Sequence, residues 1–121
     1  MPIDPTQALV ATRSAIGVSS WVAPGLAGRA FGLDVPGNPQ APYLARLFGI
    51  RDLALGVGVQ RTTGDARRLW LTLGVACDLA DAAAGVLSGR DGSLPKVSAA
   101  LVTGTAVVAA GLGVAALQQG G

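Results

Sequence analysis

The sequence has no histidine and no glutamate, a single lysine (Lys96) and a single cysteine (Cys77). Without histidine, and with one thiol, the usual ligand sets for zinc, copper, iron and haem cannot be assembled, so neither a metal nor a cofactor is expected. One cysteine also excludes an intrachain disulfide and leaves the redox compartment open. The scarcity of lysine and glutamate excludes more, because a water-soluble helical bundle carries such residues on the exposed face of every helix. Charged residues occupy only 13% of the 121 positions, and the net charge is +2. The basic residues are scattered, without the clustered stripe or interleaved aromatics of a nucleic-acid surface, so no nucleic-acid partner is expected.

Apolar residues make up 50% of the chain and the mean hydropathy is +0.51, a balance that suits lipid better than water. The 18 glycines fall inside the apolar runs as well as between them. An interior glycine costs a water-soluble helix about 1 kcal/mol, whereas in a bilayer small residues let helix backbones approach closely. Glycines such as Gly49, Gly56, Gly74, Gly85, Gly104 and Gly111 therefore read as packing seams. The expected fold is all-α, a four-helix transmembrane bundle in one domain over 1–121, with spans at about 9–29, 43–59, 69–87 and 97–117. The first span needs a kink at Pro24 to reach the roughly 20 residues that cross the hydrocarbon core. A proline-rich loop follows it, and the turns at 60–68 and 88–95 join the remaining spans. Gln118 to Gly121 reads as a frayed tail. No cleavable leader is expected, since Met1 to Gln7 lacks a positive charge and Arg13 interrupts the first apolar run. Arg61, Arg67 and Arg68 on one side balance Arg29, Arg90 and Lys96 on the other, so the positive-inside rule leaves the orientation open.

Besides Arg29 at the end of the first span, six charges fall inside these spans: Arg13, Arg46, Arg51, Asp52, Asp78 and Asp81. Each would cost about 2.5 to 3.5 kcal/mol unpaired at a helix centre, so they must pair, meet a water-filled cavity or reach the interface. Arg46, near the start of its span, can snorkel. At about 100° per residue, Gly74, Cys77, Asp78, Asp81, Gly85 and Ser88 share one stripe of the third span. Ala45, Gly49, Asp52 and Gly56 form another on the second span, with Arg51 at its flank, and Arg13, Gly17 and Ser20 a third on the first. The fourth span offers Ser98 and Thr105 and is expected to pack through Gly104 and Gly111. These stripes should converge inside the bundle. Cys77 reads as a small packed hydrophobe, and Trp21, Trp70 and Tyr43 as interfacial anchors.

Asp78 and Asp81, one turn apart, have the spacing of metal-diphosphate motifs, but no second acidic motif follows and the chain is short for such enzymes. Metal-free acid–base chemistry fits better. One carboxylate held ionised beside an arginine can activate water while a second, still protonated, donates a proton. The candidate site residues are Asp78 or Asp81 as base, Asp52 as acid, and Arg51 or Arg13 as bridge. They would act on a lipophilic small molecule entering from membrane lipid, as a cofactor-independent epoxide hydrolase, cyclase or isomerase. The competing reading is a non-catalytic accessory or a lipid- or quinone-binding subunit whose charge cluster holds the helices in register. A transporter is disfavoured because four short helices enclose no alternating pathway without forming a homo-oligomer.

The stretch Tyr43-Leu44-Ala45-Arg46-Leu47-Phe48-Gly49-Ile50-Arg51-Asp52-Leu53-Ala54-Leu55-Gly56 resembles the Arg-Leu-x-Gly pattern of DoxX-like small four-span bacterial membrane proteins. The chain is also similar in style to uncharacterised actinobacterial membrane proteins rich in alanine, glycine and valine. The resemblance covers the whole hydropathy plan and implies a four-helix bundle in a bacterial inner membrane. The quinone-coupled sulfur oxidation linked to some DoxX-like proteins is not carried over, since the sequence supplies no redox centre.

Overall fold

The computed structural model describes residues 4–120, which form five α-helices and, among them, no strand. Met1 to Ile3, part of the start that lacks a positive charge, and Gly121 of the expected tail lie outside the described residues. Helix α1 (Pro5–Val22) is started by Asp4, whose carboxylate accepts from the Thr6 N–H at 3.0 Å, and by Pro5 in the first turn. Pro24 then ends it. Proline has no N–H to donate and disfavours helical backbone in the residue before it, and Ala23 accordingly sits at φ −131°, ψ 66°. The kink expected within one long first helix is therefore a break, and Pro24–Ala30 is a separate short helix, α2. Gly32, at φ +75°, turns the chain away from α2 into the proline-rich loop.

Helix α3 (Ala41–Gln60) carries Pro42 in its first turn, where a missing N–H is harmless. Helix α4 (Gly64–Asp91) has Asp65 near its N-terminus and Arg90 near its C-terminus, each on the favourable side of the helix dipole, and ends at Gly92 with φ +83°. Helix α5 (Lys96–Gln118) has no charge after its first residue. At 1.5 Å per residue α4 is about 42 Å long and α5 about 34 Å, against roughly 30 Å of bilayer hydrocarbon. Both are long and apolar enough to cross a membrane.

Helix α1 packs on α3 and α4 on α5, and the two pairs join through α1 against α5 and α3 against α4. The α1 and α3 backbones touch almost directly. A Cβ on Gly17 would lie 2.7 Å from the Gly49 carbonyl oxygen, and one on Gly49 would lie 2.8 Å from that of Gly17. The helix α5 seam differs from the expected one. Its buried face is Ser98, Ala106, Ala109, Ala110, Gly113 and Ala116, while Gly104 and Gly111 face open space. The alanines on the opposite stripe are small enough for close packing and lose less backbone entropy than glycines.

The packed apolar core sits at the end of the bundle where α1 begins and α5 ends, with Leu9, Val59, Leu71, Ala109 and Ala116 at its centre. The outward faces are apolar too. Val22, Leu26, Leu44, Leu47, Ile50, Leu69, Leu79, Leu87, Val97, Val107 and Val108 are exposed, whereas Arg13, Ser20, Asp52, Asp78 and Ser98 are buried.

Candidate functional site

Arg13 lies midway along α1 and projects between α3 and α4 with 3% of its surface exposed. Its Nη1 donates to Asp52 Oδ1 of α3 at 3.3 Å and to Asp78 Oδ1 of α4 at 3.2 Å, and its Nη2 donates to Asp78 Oδ2 at 2.6 Å. The two-point grip on Asp78 uses the matching planes of guanidinium and carboxylate. Gly74, one turn before Asp78, makes the space. A Cβ there would come within 2.8 Å of Arg13 Nη2. The expected stripes thus meet: Arg13, Gly17 and Ser20 on α1, Gly49, Asp52 and Gly56 on α3, and Gly74, Asp78 and Gly85 on α4 are all buried.

Arg51 and Asp81 form a second, less buried pair across α3 and α4. Arg51 Nη1 donates to Asp81 Oδ1 at 3.1 Å and Nη2 donates to Asp81 Oδ2. The guanidinium carbon of Arg51 stands 4.9 Å from the centre of the Phe48 ring, a cation–π arrangement. Both side chains remain about one-third exposed, so this pair is held less tightly than Arg13 with Asp78. Arg46 is not part of the cluster. It is exposed, and its Nε donates to the Trp21 carbonyl at 3.1 Å, tying α3 to the end of α1. With Arg46 outside, the cluster holds two arginines and three aspartates instead of three of each, and with all five ionised it carries one excess negative charge.

A cavity of about 290 Å³ opens beside this cluster. Arg13, Asp52, Asp78 and Asp81 form its floor, and its walls are apolar, among them Ile16, Leu44, Phe48, Val102, Ala106 and Ala109. Helix α2 and the start of the following loop close the far end with Ala27, Gly28, Phe31 and Leu33. The size lies at the lower edge of small-molecule pockets, about 300 to 1,000 Å³. The bundle therefore has a packed end around Leu71 and a hollow end under α2, with the buried charges between them.

All five sequence candidates, Arg13, Arg51, Asp52, Asp78 and Asp81, belong to the cluster, and all except Arg51 line the cavity. Ser20, Thr12 and Thr105 also line it, and no role for them follows from the sequence. Ser20 is legible as a member of the Arg13 stripe, and Val102, Thr105, Ala106 and Ala109 share one face of α5 at helical spacing. The contribution of Phe31 and Leu33 has no signal, because loop residues carry no periodicity. Cys77 is half-buried and outside the cavity. Among the described residues no group of three histidine, cysteine, aspartate or glutamate side chains is placed to hold a metal ion. No family model, curated protein or solved structure matches the chain.

Proposed function

We propose that this chain is a four-span integral membrane protein of a bacterial inner membrane, with α1 and α2 together as the first span, that binds a lipophilic small molecule in the cavity under α2. The membrane placement is supported by the burial of Arg13, Asp52 and Asp78 while many large apolar residues face outward, and by the length of α4 and α5. The DoxX-like pattern around Arg46 and Gly49 agrees with this placement. The observation that carries the binding reading is the apolar cavity of about 290 Å³ set directly on a buried ionic cluster. A helical pin needs the ion pairs but not the cavity.

Catalysis would extend the same reading. Three carboxylates, Asp52, Asp78 and Asp81, line the cavity, so a seated epoxide or alkene would meet a proton donor and a base together, as epoxide opening or double-bond isomerisation requires. The alternative, a structural pin in an accessory subunit, is favoured by one observation, the two-point grip of Arg13 on Asp78. Asp52→Asn, Asp78→Asn and Asp81→Asn in the full chain separate these readings. A site predicts folded protein with lost ligand binding or turnover in at least one variant. Full binding and turnover in all three, with normal folding, would exclude it.

A further inference from the structure

The polar groups facing the cavity have an uneven inventory. Thr12 Oγ1 donates to the Ala8 carbonyl and Thr105 Oγ1 to the Leu101 carbonyl, both at 2.8 Å, so each turns only lone pairs toward the space. Both terminal nitrogens of Arg13 are engaged by Asp52 and Asp78, and both oxygens of Asp81 accept from Arg51. Arg51 Nε is a buried donor without a partner, but Arg51 does not line the cavity. Asp52 is different. Its Oδ1 shares Arg13 Nη1 with Asp78, and its Oδ2 takes part in no hydrogen bond among the described residues. Ser20, 4% exposed and lining the same cavity, has a hydroxyl with no hydrogen-bond partner among them.

Charge points the same way as hydrogen bonding. With all three carboxylates ionised, Arg13 and Arg51 cannot neutralise Asp52, Asp78 and Asp81, and Asp52, which lines the cavity, is the one with an oxygen that takes no hydrogen bond among the described residues. An anionic head group would add a second uncompensated charge, and a neutral one would leave the first. A monovalent cation with hydrogens to donate answers both deficits, and the apolar walls require that it carry a hydrocarbon body.

We infer that the cavity selects a lipophilic amine, bound as its ammonium with the charge on Asp52 Oδ2 and hydrogen bonds to Ser20 and Thr105. This rests on the proposed binding of a lipophilic molecule and adds the chemistry of its head group. The test uses the full chain in nanodiscs of zwitterionic phosphatidylcholine, with the thermal unfolding midpoint followed against decylamine, decanol and decanoate. Ala106→Phe, which fills the cavity from α5, defines the binding that belongs to it. Decylamine is expected to protect at concentrations about tenfold or more below decanol, as one charge-assisted hydrogen bond implies, with no protection by decanoate. Asp52→Asn should bring the amine to the level of the alcohol, and Ala106→Phe should remove protection by both. If decanol or decanoate matches decylamine through binding that Ala106→Phe abolishes, the cavity reading stands and the amine inference is overturned. An amine preference that survives in Asp52→Asn would overturn it equally. If none of the three protects in a manner sensitive to Ala106→Phe, the binding reading fails and takes the inference with it. The comparison of the three compounds in the unmutated chain decides the head group even if Asp52→Asn does not fold.

Discussion

Removing the Arg13 guanidinium should destabilise the protein far more than removing that of Arg51, although each arginine contacts an aspartate on α4. In Arg13→Met, the carboxylates of Asp52 and Asp78 lose all three hydrogen bonds from Arg13, and both residues are at most 4% exposed. Breaking a buried pair by deleting one partner typically costs about 3 to 5 kcal/mol, because the remaining charge is left without compensation. Here two charges are stranded, so the upper part of that range applies. Arg51→Met removes a pair whose side chains are 36% and 29% exposed, and exposed pairs contribute about 0 to 1 kcal/mol. The comparison can be read from reversible denaturant unfolding of the detergent-solubilised full chain. Replacing the stranded carboxylates, in Arg13→Met with Asp52→Asn and Asp78→Asn, should recover most of the loss. A loss below about 1 kcal/mol for Arg13→Met, or an equal loss for Arg51→Met, would refute the view that Arg13 neutralises buried charge.

Gly17→Ala should destabilise by about 1 to 3 kcal/mol, because its Cβ would meet the Gly49 carbonyl and the Leu53 backbone, neither of which can swing aside. Gly104→Ala and Gly111→Ala, with nothing within 4 Å of the added carbon, should be neutral or stabilising by up to about 1 kcal/mol in the same unfolding assay. The exposed turn after α4 should give a small acid-sensitive contribution. Ser93 N–H and Oγ both donate to Asp91, which holds that carboxyl below its ordinary value. A lowered folded value means stability present above the ordinary carboxylate range and lost as pH falls through the folded value. Ser93→Ala should therefore flatten the acid limb of the unfolding midpoint, and an unchanged limb would contradict this. Partitioning of the chain should follow its inverted surface: membranes washed with alkaline carbonate should retain it and detergent should release it.

The helical content and the inward stripes are readable in the sequence because both follow from a 100° repeat in residue type, and no tertiary knowledge enters that repeat. Spacing alone groups Arg13, Gly17 and Ser20, and all three are buried. Pro24 is readable as an interruption, but whether a proline kinks or breaks a helix depends on what packs beyond it. Here α2 folds back over α3 and closes the cavity. The seam on α5 departs from expectation for a related reason. Glycine and alanine alternate along that helix, and only the neighbours decide which small face is buried. Arg46 shows the limit for charge. Its place near the start of α3 allows it to reach outward, and its contact with the Trp21 carbonyl is a tertiary fact with no local signature.

The division of the bundle bears on what the charges are for. Around Leu9, Val59 and Leu71 the helices interlock through large side chains and leave little space. Past the Arg13 layer the cavity is lined by small residues, among them Ser20, Ala27, Gly28, Ala41, Ala45 and Ala106, interspersed with larger ones such as Ile16, Leu44 and Phe48. Apolar walls around an open space of about 290 Å³ lack the dispersion contacts that a packed interior makes. An occupant with an apolar body restores those contacts. The same occupant must end at a floor where Arg13 is already shared between two aspartates and Asp52 retains a free oxygen. On the proposed binding, the apolar walls suit a hydrocarbon body, and the Asp52 oxygen that takes no hydrogen bond suits a cationic head at one end of it.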